Sequence, residues 1–129
     1  MRIISVTLFG VLALSACTVP EPQSEIVAGK PYQLTARELA VVKSSVRQAM
    51  KDPQSAMFGR IAASISSDKV VTVCGFVNGK NSFGGYVGKK PFLGVLTGQN
   101  TGYYVIDIGS SDIEVNADLR TCQKAGISF

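Results

Sequence analysis

The chain has no histidine and no tryptophan, and only three of its 129 residues are cysteine. Without an imidazole, Ser-His and Cys-His nucleophilic schemes are excluded. Cys17, Cys74 and Cys122 form no Cys-x-x-Cys pair, and with no histidine beside them a zinc site lacks its usual ligands. Neither metal nor cofactor is expected. Charge is sparse too, with 13 basic against 9 acidic residues and no basic run longer than Lys89-Lys90. Nucleic acid asks for a basic stripe, so it is set aside as a partner. No apolar run reaches the roughly 20 residues of a membrane-spanning helix, and no internal repeat is visible.

What is present begins with a leader. Met1-Arg2 precedes an apolar run from Ile3 to Leu14, interrupted by Ser5, Thr7 and Gly10. One positive charge, a short apolar core and small residues are the make-up of a secretory signal. It closes on Leu14-Ser15-Ala16-Cys17. This tetrapeptide resembles the lipobox of bacterial lipoproteins. The resemblance implies cleavage before Cys17, acylation of that residue, and a bilayer as the first partner. One acyl chain holds a protein weakly, whereas two or more anchor it, at about 0.8 kcal/mol per buried CH₂. Thr18, not an aspartate, follows Cys17. By the same resemblance this implies the outer membrane, facing the periplasm.

The expected organisation is a signal over residues 1–16, a lipidated cysteine and tether over 17–34, and one small domain over 35–129. Pro20, Pro22 and Pro31 among scattered polar residues mark the tether. Loss of Arg2 leaves a net charge of about +3, compatible with weak attraction to anionic headgroups or glycans. With Cys17 taken by lipid, Cys74 and Cys122 are an even pair in an oxidising compartment, and a disulfide is expected. Its loop of about 49 residues corresponds to roughly 4 kcal/mol in the chain-entropy model.

Thr35-Ala36-Arg37-Glu38 has the form of a capping box. Leu39, Val42, Val46, Ala49 and Met50 follow at helical spacing, until Asp52-Pro53 stops the helix. The spacing predicts a helix over 35–51, with Arg37, Lys43, Arg47 and Lys51 on its solvated flanks. Met57 to Ser66 reads as a strand with Gly59, Ile61, Ala63 and Ile65 on one side. Val70 to Asn78 reads as a central strand apolar on both faces, hence covered on both. Gly85 to Thr97 reads as the next strand, with Pro91 requiring an edge, bulge or bend. Gly98 to Gly102 is a hairpin loop and Tyr103 to Ile108 another strand. Asn116 is the expected cap of a short helix through Lys124, although Ile113-Glu114-Val115 alternates like a strand. The fold class is α+β: an N-terminal amphipathic helix packed on an antiparallel meander of about four strands, with a C-terminal segment tied by the disulfide.

The stretch from Val73 to Phe92 organises the rest. It leaves a strand, crosses a polar loop and re-enters a strand. Gly75 marks a bulge or a close backbone approach, and Gly84-Gly85 supplies positive φ. One reading of the loop is an anion cradle of backbone N–H groups beside Lys80, Lys89 and Lys90. The P-loop spacing is not met, since Gly75 and Gly84 each precede Gly-Lys by only three residues and no hydroxyl follows. The other reading is a turn, closed by Asx bonds from Asn78 and Asn81. Tyr86 and Phe92 are core residues if the strand reading holds. With Phe83, Asn78, Asn81 and the lysines they are otherwise a recognition surface.

Two segments resemble a group of small exported bacterial lipoproteins of unassigned activity. They are Asp52-Pro53-Gln54-Ser55-Ala56-Met57-Phe58 and Val73-Cys74-Gly75-Phe76-Val77-Asn78-Gly79-Lys80-Asn81, continued by Gly84-Gly85-Tyr86 and Phe92. The resemblance implies an exported domain and carries over no catalytic residue. Asp52, Asp68, Asp107, Asp112, Glu114 and Asp118 fall mainly at turn and cap positions. The expectation is therefore a non-catalytic binding or structural module of the envelope, with a protein or a glycan as partner. Its candidate binding residues are Asn78, Lys80, Asn81, Tyr86, Lys89 and Lys90. The alternative is a small envelope hydrolase with two carboxylates converging in a cleft.

Overall fold

A computed structural model describes residues 28–129. The leader, the Leu14-Ser15-Ala16-Cys17 box and the tether up to residue 27 lie outside the described residues. The elements run β1 (Lys30–Tyr32), α1 (Ala36–Ala49), a 3-10 turn (Pro53–Ser55), β2 (Met57–Ile65), β3 (Val71–Asn78), β4 (Lys90–Thr97), β5 (Gly102–Ile108) and α2 (Asp112–Lys124). The strands form one antiparallel sheet in chain order, so the fold is α+β. Among the described residues no helix is long and apolar enough to cross a membrane.

The sheet has five strands where about four are expected from spacing. The fifth, β1, falls inside the stretch expected as tether and pairs Lys30 with Ile65 and Tyr32 with Ala63. Three residues with a central proline carry no readable alternation. Pro31 is tolerated because β1 is an edge.

α1 starts as the capping box requires. The Glu38 amide donates to Thr35 Oγ1 (3.2 Å) and the Thr35 amide donates to Glu38 Oε2 (2.8 Å). Val42 and Val46 are fully buried against Val71, Val73, Val77, Phe92, Leu96 and Tyr103. Gly75 makes room there, since a Cβ on it would stand 2.6 Å from Phe92 Cζ. The opposite face holds Cys74, Leu93, Cys122 and Ile127. The Cys74–Cys122 disulfide joins β3 to α2 across 48 residues. Both faces of β3 are thus covered, as its two apolar sides require.

Four local expectations change. In β2, Phe58 pairs with Val77 but Ile61 with Gly75, so Gly59 and Arg60 together oppose Phe76. This bulge resets the alternation: Phe58, not Gly59, shares the α1 face with Ile61, Ala63 and Ile65. β4 begins at Lys90 rather than Gly85, with Pro91 at its opening in an interior strand. The bulge falls further along, between Leu93 and Gly94, where Ile106 is the extra residue of β5. Lastly, α2 begins at Asp112 and its cap is Ser111, not Asn116. Ser111 and Glu114 form a second capping box. Asn116 instead donates back to the Asp112 carbonyl at 2.7 Å.

α2 ends in a Schellman arrangement that seats the disulfide. Gly126 takes φ +86°, its amide donates to the Gln123 carbonyl, and the Ile127 amide donates to the Cys122 carbonyl. Ile127 then packs against the cystine.

Candidate functional site

The chain between β3 and β4 is a flap with a fixed foot and an open tip. Its foot is held from the other resembling segment: the Lys80 amide donates to Ser55 Oγ at 2.8 Å, and Ser55 Oγ donates to the Asp52 carbonyl at 2.9 Å. Met57 pairs with Asn78 and Phe58 with Val77. The two segments are therefore one structural unit. Higher up, Lys80 and Tyr86 form an isolated antiparallel bridge, and the Val87 amide donates to the Gly79 carbonyl.

Asn81 organises the tip. Its Oδ1 accepts from the Phe83 amide (2.9 Å) and the Gly85 amide (3.1 Å), and its carbonyl accepts from the Gly84 amide (3.0 Å). Gly84 has φ +81°, as the turn needs. Asn81 thus takes the Phe83, Gly84 and Gly85 amides, which are the ones an anion cradle at the tip would draw on first. Asn78 closes no turn either. Its Oδ1 is buried and has no hydrogen-bond partner among the described residues.

Residues 81–89 are all exposed. Phe83 stands 96% exposed at the tip, and Tyr86 is half exposed. Tyr86 and Phe92 thus part company: Phe92 is core and Tyr86 is surface, with Lys80 Nζ 5.6 Å above its ring. The strand reading of Gly85 to Lys89 placed Tyr86 wrongly, since the glycines break the ladder that Tyr86 and Val87 would favour.

A cavity of about 400 Å³ opens where the foot of the flap meets the end of α1 and the loop between β5 and α2. Of the residues singled out in the sequence, Lys80, Asn81 and Lys90 line it. Asn78, Tyr86 and Lys89 do not. Met50, Lys51, Ile108 and Ser110 complete it, from elements distant in sequence. Lys51 carries a weak advance signal as the last basic residue of the helical spacing. Nothing local marks Ile108 or Ser110. Lys90 Nζ lies 3.5 Å from the Ser110 carbonyl, so β4 closes one wall onto that loop.

The carboxylates give a different picture. Asp107 and Asp118 meet on the α2 side of the sheet, but Asp118 is only 4% exposed and its Oδ2 lacks a hydrogen-bond partner among the described residues. Burial first, and the charge of Asp107 second, push Asp118 up to about 6. Asp118 is sealed beneath α2 and only Asp107 is part-exposed, whereas hydrolysis of a glycoside needs room for substrate and water between the carboxyls. Glu114 is held down at about 2, chiefly by hydrogen bonds from Ser110 and then Ser111. That is its capping task. Among the described residues no three metal-ligating side chains gather where they could hold an ion. Comparison of the chain with protein-family models, with curated proteins and with solved structures returns no match.

Proposed function

We propose that the chain is an exported protein of the bacterial envelope, anchored by lipid on Cys17, that works as a non-catalytic binding or structural module. The observation that carries the reading is the Cys74–Cys122 disulfide, buried in the core of one sheet face. Disulfides persist in oxidising compartments and are rare where thiols are kept reduced. An export signal ending in Leu14-Ser15-Ala16-Cys17 agrees with that requirement. The flap and its cavity are the surface this module would offer to an envelope protein or a glycan. A hydrolase with a carboxylate pair is disfavoured by the sealing of Asp118 beneath α2.

Metabolic labelling with a clickable fatty acid tests the anchor. Wild-type protein should take the label and sediment with membranes, and Cys17→Ser should do neither. Equal labelling of the two would refute the anchored module.

A further inference from the structure

The cavity at the foot of the flap has a composition that points to one class of ligand. Its apolar surface is Met50, Val77, Val87 and Ile108. Gly79 has no side chain to displace Met50, which a Cβ there would strike. Around this surface stand Lys51, Lys80 and Lys90, and among the described residues no aspartate or glutamate lines the cavity. The three lysines come from three separate places: the chain just after α1, the first arm of the flap and the start of β4. Their visible partners are neutral, the Tyr86 ring for Lys80 and the Ser110 carbonyl for Lys90. An anion held between these lysines is attracted by their charge, and no carboxylate among the described lining residues opposes it. The volume of about 400 Å³ is that of a small-molecule site. Its foot is already in place, because Ser55 fixes the Lys80 backbone before any ligand arrives.

We propose that this cavity binds a small single-chain amphiphile with an anionic head. The apolar chain lies over Met50, Val77, Val87 and Ile108, and a carboxylate or phosphate sits among Lys51, Lys80 and Lys90. This names the ligand class for the binding module proposed above and rests on that reading. The anchor is tested separately by fatty-acid labelling, so a cavity that binds nothing and a chain that is not lipidated are distinguishable failures.

The test uses residues 17–129 with Cys17→Ser, which retain every described element and the disulfide, confirmed by cooperative melting. Decanoate, decyl phosphate, decanol and decyltrimethylammonium are titrated while amide resonances are followed by NMR. Decanoate or decyl phosphate should shift the amides of Gly79, Val87, Lys90 and Ser110, and bind at least roughly tenfold more tightly than decanol or the cation. Preference for the carboxylate points to a free fatty acid, and preference for the phosphate to a lipid headgroup. The Lys51→Ala/Lys80→Ala double variant should melt normally and lose roughly tenfold in affinity for the anion, with decanol unaffected. Equal binding of decanol or the cation, or no shift at those amides with millimolar decanoate and decyl phosphate, would overturn the proposal.

Discussion

On one face of the sheet, α1 buries Val42 and Val46 completely against valines, Phe92 and Tyr103. On the other, the buried residues of α2 are Asp118 and Cys122. The first face has apolar area to spare and a fully used carboxylate: Glu38 accepts from the Thr35 amide, the Tyr32 hydroxyl (2.9 Å) and Asn100 Nδ2 (2.6 Å). It ties β1, α1 and the β4–β5 hairpin together. The second face has a smaller apolar cluster, an Asp118 Oδ2 with no hydrogen-bond partner among the described residues, and a covalent link. Both helices start from the same capping box, but Glu38 is buried and Glu114 only half-buried. The same local signal therefore serves packing on one side and only helix initiation on the other. Small domains have little margin, and this one closes its weaker face with a bond rather than with more surface.

The largest expected effect comes from removing that bond. Cys122→Ser, or reduction, should lower stability by roughly 4 kcal/mol in the chain-entropy model, with native strain and residual unfolded structure reducing the loss. Hydrogen exchange should then show α2 and Ile127 losing protection well before α1. Uniform loss over both faces would break the comparison.

Next, Glu38→Ala should cost about 1–3 kcal/mol, because it strands the partners of a buried carboxylate. Glu114→Ala, at the less buried box, should cost less in the same urea titration. Equal costs would mean that burial does not separate the two boxes.

Asp118 gives the third test. Its ordinary value is 3.8 and the folded protein raises it to about 6. A raised carboxyl contributes stability that is fully present below about pH 4 and is lost as pH rises through about 6. Asp118→Asn should therefore stabilise the protein at pH 7 by on the order of 1 kcal/mol and leave pH 4 nearly unchanged. The difference between variant and wild-type melting curves across pH 4–7 reads this directly. A variant less stable at pH 7 would show that the ionised carboxylate is held by bonds instead.

The smallest effects belong to the flap, which lies outside both faces. Lys80→Ala should stay within about 0.5 kcal/mol of wild type, since the Lys80 backbone and not its side chain holds Ser55. Asn81→Ala should cost more, on the order of 1 kcal/mol, through the loss of two amide contacts. A reversed order in thermal melts would mean that the turn is not what shapes the flap.

What the sequence made legible was local or arithmetical. Thr35 and Glu38 signal a helix start within four residues, and two cysteines left over after Cys17 signal their own pairing. Ser111 and Glu114 carry the same start signal, yet the alternation of Ile113, Glu114 and Val115 masks it. Ile113 is 83% exposed, so its side chain reports nothing about packing. β1 was hidden because its place depends on the free edge of β2, not on its own residues. The cavity was half legible. Lys80, Asn81 and Lys90 stand out in the glycine-rich stretch, but Lys51, Ile108 and Ser110 join them only when the sheet brings three distant segments together.

The covalent closure of the α2 face, and with it the proposed export to an oxidising compartment, is tested most directly by non-reducing peptide mapping of the protein recovered from cell envelopes after thiol blocking. We expect one cross-linked peptide joining Cys74 to Cys122 and no blocking label on either residue. Both thiols labelled in envelope protein would contradict it.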